Sequence, residues 1–235
     1  SSSVCADSTT FNVTLKAGNT VTVNGAYDIS TATYVQNFSV SSQETFPTDV
    51  TFNNDGTKMF VLGATGDDVN EYSLTTGFDV STATYVQNFS VSSQETIPTG
   101  IAFNNDGTKM YILGDAGNDV NEYSLSTAFD VSSASFAGNS EIFSVSSQEV
   151  NPMGITFNND GTKMFVIGYS GDDVNEYSLS TAFDVSTASY VQRFAVGSQE
   201  TNPKGMAFNN DGTKMFIVGS QGDDVNEYSL STAFD

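Results

Sequence analysis

The chain has 235 residues, 38% of them hydrophobic and 12% aromatic, which is enough apolar material to bury a core. Its 28 Asp and Glu residues against seven Lys and Arg give a net charge of −21, which argues against binding to nucleic acid or anionic membranes. The chain contains no histidine, and its one cysteine, Cys5, excludes an internal disulfide. No apolar run approaches the roughly 18 residues of a membrane span, so we expect no membrane insertion.

The first 26 residues differ from the rest of the chain. Apolar and polar residues alternate over Phe11–Leu15 and again over Val21–Val23, which predicts a β-hairpin extension at 1–26. Two strands alone are marginally stable in water. We therefore expect the hairpin to lean on another part of the protein or to pair with a neighbouring subunit, and we predict self-association through it.

From there the chain repeats one phrase four times. Asn53-Asn54-Asp55-Gly56-Thr57-Lys58-Met59 returns with Asp106, Asp160 and Asp211 in the place of Asp55, at spacings of 51, 54 and 51 residues. A fixed period near fifty indicates an array of identical supersecondary units.

Each unit contains four short strand patterns. In the first unit, strands are predicted at 50–52, 58–62, 69–74 and 84–91, with a tight turn at Asn53–Gly56. A sheet of this kind is apolar on both faces and cannot fold alone. Radial stacking of the sheets covers those faces, which is the geometry of a β-propeller.

The two ends of the repeat array are complementary. The segment Tyr27–Val40 matches the fourth strand of a unit, whereas the last unit reaches Asp235 before such a strand. The sequence therefore predicts an all-β fold over 27–235, a four-bladed β-propeller of four-stranded antiparallel blades in which the N-terminal strand closes the last blade. Alternatively, another copy supplies the missing strand, giving a domain-swapped ring or a filament.

The segment from Gly100 to Leu113, GIAFNNDGTKMYIL, resembles the repeats of lactonase-like and YVTN-type surface-protein β-propellers. The resemblance covers about residues 27–235. It implies a propeller fold and a choice between extracellular binding or surface-layer proteins and a few metal-dependent hydrolases. The hydrolases draw their ligands from non-equivalent loops, whereas the loops of this chain are near-copies of one another.

The first candidate site is a Gln-Glu pair before each innermost strand, where four copies could ring one mouth of the channel. Carboxylate and amide oxygens suit a hard cation such as calcium or another bound ligand. In the alternative interpretation, these side chains cap the turn and face water. The pairs are Gln43 and Glu44, Gln94 and Glu95, Gln148 and Glu149, and Gln199 and Glu200.

The second candidate is an acidic turn after a glycine in each unit. Adjacent acids at this point could bind one calcium per blade, or they could be ordinary turn residues with solvated carboxylates. The residues are Asp67 and Asp68, Asp119 beside Asn118, Asp172 and Asp173, and Asp223 and Asp224.

Other repeated residues have structural interpretations. Glu71 lies within a strand, and Lys58 on the adjacent strand is its predicted ion-pair partner, since an unpaired buried charge is costly. Tyr72 is predicted to lie in the core with its hydroxyl bonded. The repeat is broken at Asp49, where the other units have Gly, and by extra residues around 137–141, where an irregular loop could make a specific contact.

These patterns do not point to an enzyme. Catalysis needs unlike groups in one place, whereas repeats give like groups in symmetric places, and the usual general base, histidine, is absent. We predict a non-enzymatic, extracellular or cell-surface module for surface coating, filament formation or adhesion, with a glycan or protein as partner. The alternatives are a calcium- or glycan-binding lectin-like propeller and a metal-dependent lactonase-like hydrolase.

Overall fold

The computed structural model describes residues 32–235, and a compact unit runs from Tyr34 to Asp235. The predicted hairpin at 1–26 lies outside the described residues and stays a prediction. Within 32–235, no helix is long and apolar enough to cross a membrane.

The unit contains four antiparallel sheets, which are the blades of the propeller. The first blade consists of β1 (Pro47–Phe52), β2 (Lys58–Gly63), β3 (Asp68–Leu74) and β4 (Ala83–Ser90). The second consists of β5 (Pro98–Phe103), β6 (Lys109–Gly114), β7 (Asp119–Leu125), β8 (Ala134–Phe136) and β9 (Ile142–Ser144). The third consists of β10 (Pro152–Phe157), β11 (Lys163–Gly168), β12 (Asp173–Leu179) and β13 (Ala188–Ala195), and the fourth of β14 (Pro203–Phe208), β15 (Lys214–Gly219) and β16 (Val225–Ser229).

Strands pair in chain order within each blade, except that β9 pairs with β7, and the predicted all-β, four-bladed propeller is confirmed. The repeated Asn-Asn-Asp-Gly phrase forms the turn between the first two strands. Asn53 Oδ1 accepts the backbone N–H of Lys58 at 2.9 Å, and Asp55 Oδ1 accepts that of Thr57 at 3.0 Å. Gly56 has φ +70°, a conformation that side chains rarely adopt.

The core lies between blades, because each sheet is apolar on both faces. Phe60 and Leu62 of the first blade pack against Ile101 and Met110 of the second. Equivalent clusters join the second blade to the third and the third to the fourth. The innermost strands contact one another in order around the axis, β1 with β5, β5 with β10, and β10 with β14.

The closing strand differs from the prediction in its hydrogen bonding. Within the described residues the fourth sheet has three strands, and residues 34–40 belong to no sheet. Phe38 and Val40 nevertheless pack on the first blade, and the Phe38 and Tyr72 rings lie 5.6 Å apart. Phe38 and Val40 are half-buried there, whereas Tyr34 and Val35 are exposed. Burial of apolar side chains does not require a β-ladder. Residues 27–31 lie outside the described part.

The outer strand of the second blade is split in two. β8 and β9 both pair with β7, and the extra residues form a 3₁₀ turn at Asn139–Glu141 between them. The predicted irregular loop is therefore confirmed at this place.

Candidate functional site

The glutamates of the four Gln-Glu pairs are buried and bonded to backbone. The carboxylate of Glu95 accepts the N–H groups of Ile97 at 2.6 Å and of Ala116 and Gly117 at 3.2 Å each. Glu149 and Glu200 make the same three bonds to their own blades. Each glutamate therefore ties the loop before the inner strand to the turn after the second strand.

Backbone hydrogen bonds favour the ionised form of two of these glutamates, Glu44 and Glu200. Burial opposes ionisation of Glu44, but the N–H groups of Phe46, Gly66 and Thr65 and the Thr65 side chain outweigh it and lower its pKa. Burial likewise opposes ionisation of Glu200, but the N–H groups of Asn202, Gly222 and Gln221 outweigh it and lower the pKa of Glu200. A carboxylate held in this way anchors the loop.

The glutamine partners in the first three blades also bond within the fold. Gln43 Oε1 accepts the hydroxyl of Tyr72 at 3.4 Å, and Gln94 Oε1 accepts that of Tyr123 at 3.2 Å. Tyr72 is fully buried, so its predicted place in the core is confirmed. Ligand binding by the Gln-Glu pairs at a channel mouth stays a prediction.

The acidic turns combine a special backbone with internal hydrogen bonds. Asp67 has φ +48°, and its counterparts Asn118, Asp172 and Asp223 share this left-handed conformation, which Asn and Asp tolerate best. The next aspartate is largely engaged by amides: Asp68 accepts Asn70 and Asn88, each at 2.6 Å.

The counterparts of Asp68 make the same local bond. Asp119 accepts Asn121 at 2.7 Å, Asp173 accepts Asn175 at 2.7 Å, and Asp224 accepts Asn226 at 2.8 Å. Arg193 also pairs with Asp173 at 3.2 Å. Burial raises the pKa of Asp119, although the Asn121 bond opposes the shift. Calcium binding at these turns stays a prediction.

The predicted Lys-Glu pair is confirmed in every blade. Lys58 Nζ lies 2.7 Å from Glu71 Oε1, and the same distance separates the pairs Lys109–Glu122, Lys163–Glu176 and Lys214–Glu227. The first pair also reaches the next blade. Lys58 Nζ donates to Phe129 O at 2.6 Å, and Glu71 Oε2 accepts the N–H of Val131 at 3.1 Å. The pair therefore connects adjacent blades.

An acidic cluster that sequence reasoning missed lies where the second blade meets the third. Carboxylate oxygens of Glu122, Glu141 and Asp184 lie within 4.8 Å of one another, the one such group among residues 32–235. In the first blade, the amide of Gln87 bridges Glu71 and Asp130 at 2.9 and 2.8 Å. The inserted residues thus place a carboxylate beside the pair where the first blade has an amide. Burial and the charge of Glu141 raise the pKa of Glu122 against the opposing effect of Lys109.

Asp49 lies on the innermost strand, beside a cavity of about 340 Å³ lined by β1, β5, β10 and β14. Its carboxylate accepts the N–H groups of Ile101 at 2.9 Å and of Val50 at 2.8 Å. Burial raises its pKa to about 6 despite these bonds. In the other blades this position is Gly, and at Gly100 a side chain would press on the backbone of Ile155.

Comparison with known proteins supports the fold. No protein-family model matches the sequence. No curated protein matches it either. A protein of unknown function from Desulfotomaculum acetoxidans is 17% identical, with a TM-score of 0.55 over 80% of this chain and 56% of that one.

Two other solved structures carry lactonase names. A putative 6-phosphogluconolactonase from Bacteroides uniformis is 14% identical, with a TM-score of 0.52 over 78% of this chain and 53% of that one. The periplasmic gluconolactonase of Pseudomonas aeruginosa is 15% identical, with a TM-score of 0.50 over 77% and 48%. The chain thus spans about half the length of these structures, and the likeness is to their β-propeller fold. The expected likeness to YVTN-type repeats stays an expectation.

Proposed function

We propose that this β-propeller is a non-enzymatic binding module that acts at a cell surface or outside the cell. One observation carries the proposal: the repeated ionisable side chains are used to hold the fold together. Glu95 anchors a loop of its own blade, and Asp119 accepts the amide of Asn121. The Lys109–Glu122 pair reaches the next blade, where Lys109 donates to Phe183 O. Groups engaged in this way are poorly placed to act as nucleophile or general base.

The charge of the chain fits this role. A net charge of −21 keeps copies apart in solution unless a specific contact joins them. The predicted hairpin at 1–26 would supply such a contact by strand addition to a second copy. Light scattering of the whole chain should then give a mass above that of one chain, and a strict monomer would remove the self-association part of the proposal.

The competing function is hydrolysis of a lactone, which is suggested by the names of two proteins that share the fold. The test is an assay of the whole chain against five- and six-membered sugar lactones, with and without added calcium, magnesium or zinc. We expect no hydrolysis above the spontaneous rate. Saturable turnover that a blade substitution abolishes would contradict the binding-module proposal.

A second candidate function is binding of a divalent cation by Glu122, Glu141 and Asp184. Three carboxylates at this separation are a donor set that calcium accepts. Calorimetric titration with calcium tests it against the variant Glu141→Gln, which restores the amide of the first blade. Heat of binding in the wild type that is lost in the variant supports the cation site, and equal traces from both proteins contradict it.

A further inference from the structure

We infer that one end of the propeller is a binding face for an apolar, positively charged polypeptide segment of a partner; this inference rests on the proposed binding function. The face is formed by residues 45–49 and 64–65 of the first blade and their counterparts 96–100, 115–116, 150–154, 169–170, 201–205 and 220–221. We call this face the rim. It lies at the end of the inner strands opposite the Asn-Asn-Asp-Gly turns.

The rim is where the four near-identical units differ most in chemistry. Elsewhere on the blades most differences are mild, such as Val50, Ile101, Ile155 and Met206 at one position of the inner strand. At the rim, side chains change between aromatic, aliphatic, amide and charged. The position of Phe46 holds Ile97, Asn151 and Asn202; that of Thr48 holds Thr99, Met153 and Lys204; that of Ala64 holds Asp115, Tyr169 and Ser220.

Exposure alone does not explain this divergence. The outer strands are also exposed, yet Tyr85-Val86-Gln87 of the first blade is repeated unchanged as Tyr190-Val191-Gln192 of the third; the second blade, which has the insertion, differs at Phe136-Ala137. Drift at solvent-exposed positions would also tend towards small polar residues, because exposed apolar side chains gain nothing from water. At the rim, large exposed apolar residues stand beside polar ones, and the mixture includes Phe46, Ile97, Tyr169, Asn202 and Ser220. This mixture points to a contact surface.

The fold joins the two divergent segments of every blade. Backbone hydrogen bonds link Ala64 to Phe46 at 3.1 Å and Asp115 to Ile97 at 3.0 Å. The same bond joins Tyr169 to Asn151 at 3.3 Å and Ser220 to Asn202 at 3.1 Å in the other two blades. Residues about 18 positions apart in each unit therefore present one local surface.

That surface continues from blade to blade. Asn151 of the third blade donates its amide to Asp115 of the second at 3.0 Å. Lys204 of the fourth blade places its ammonium 4.8 Å from the centre of the Tyr169 ring of the third. Ordinary contacts thus connect three blades into one continuous face.

The chemistry of the rim favours a polypeptide over a sugar. Phe46, Ile97, Val150 and Tyr169 are 65%, 46%, 51% and 37% exposed, an apolar area suited to the side chains of a partner. A sugar needs free donors and acceptors, but the amide of Asn151 is already bonded to Asp115 and Ser170. The acidic field of the chain favours a basic partner and speeds its approach.

The test takes each substitution from the equivalent position of another blade. The variant F46N/I97N/V150T/Y169S gives each position a residue that a sister blade already carries there, so the backbone should accept it. Val86→Ala, which gives an exposed outer-strand position the residue Ala137, is the matched control. Random short peptides displayed on phage are selected on the whole chain, and enriched peptides are synthesised and titrated by fluorescence anisotropy at low and high salt.

We expect enriched peptides to be apolar and basic, to bind the control as they bind the wild type, and to bind more weakly at high salt. Binding to the rim variant should weaken by about tenfold or more. The single variants Tyr169→Ser and Phe46→Asn should each give part of that loss, which keeps the test valid if the fourfold variant unfolds.

Three results would overturn the inference: no enriched peptide, equal affinity for the rim variant and the wild type, or rim-dependent binding of a neutral or acidic glycan on an array. Glycan or surface binding that does not depend on the rim would leave the proposed function standing while the inference fails. Lactone turnover, in contrast, would remove the proposed function whatever the peptides do.

Discussion

Lys109 Nζ lies 2.7 Å from Glu122 Oε1, and the Glu122 side chain is 3% exposed. Replacing Lys109 with Met would leave a buried carboxylate without its cation. Because the lysine is 30% exposed and water screens part of the interaction, we expect a loss of about 2–3 kcal/mol in the free energy of unfolding. Urea denaturation of the whole chain measures it.

The fourth blade offers the matched comparison. Glu227 makes the same 2.7 Å pair with Lys214, but its side chain is 29% exposed. Lys214→Met should therefore cost about 1 kcal/mol or less. Equal losses in the two variants would show that burial of the glutamate does not set the cost.

Gly107 should not tolerate a side chain. Its φ of +71° is strained for alanine, and an added Cβ would collide with the ring of Phe129. We expect Gly107→Ala to lower the free energy of unfolding by about 3 kcal/mol, from backbone strain and the displaced ring. Thermal unfolding should show it, whereas Gly197→Ser, which installs the serine of the other three units, should shift stability by less than about 0.5 kcal/mol.

Asp49 should make stability depend on pH in mildly acidic solution. Burial raises its pKa to about 6, so the folded state holds the proton more tightly than the unfolded state, whose carboxyl titrates near 4. The folded state therefore loses stability as the pH rises from about 4 to about 6. An asparagine cannot titrate, so this decline should be absent from Asp49→Asn. The free energy of unfolding of the variant should rise relative to that of the wild type between about pH 4 and about pH 6, measured by denaturation across that range.

Asp55 provides a control of opposite sign. The Thr57 hydroxyl and N–H lower its pKa, so its contribution is present at neutral pH and is lost as the pH falls through its folded pKa. Asp55→Asn should lose more stability, relative to the wild type, at neutral pH than in acid. The same trend in both variants would contradict the assignment for Asp49.

Glu141 should destabilise the second blade in the absence of cations. Its charge lies beside Glu122 and Asp184, where the first blade has the amide of Gln87. In buffer containing a chelator, Glu141→Gln should raise the free energy of unfolding by roughly 1 kcal/mol, because repulsion is removed and a donor is gained. The counterpart Gln87→Glu should lower it. A change of the same sign in both variants would refute this account.

The sequence predicted what is local or repeated. The strands of each unit follow from alternation and turn residues, and the Lys58–Glu71 pair follows from the position of the two residues on adjacent strands. The role of Glu95 was not accessible, because its backbone donors include Ala116 and Gly117, which lie beyond two strands. The carboxylate cluster of Glu122, Glu141 and Asp184 was missed because it depends on the insertion. The insertion places Glu141 at the position that Gln87 has in the first blade.

The sequence by itself determined the repeating unit, which is a sheet of four short antiparallel strands with two apolar faces. Because this unit occurs four times, the sheets can bury their apolar faces only by stacking on one another. Periodicity carries that information because it depends on neighbours along the chain. Only the tertiary structure decided which divergent residues meet. The rim joins segments of different blades, such as Asn151 with Asp115 and Lys204 with Tyr169, and such contacts depend on how the sheets pack. The fold can therefore be predicted from the repeated sequence, whereas the candidate binding face forms only when the blades pack together.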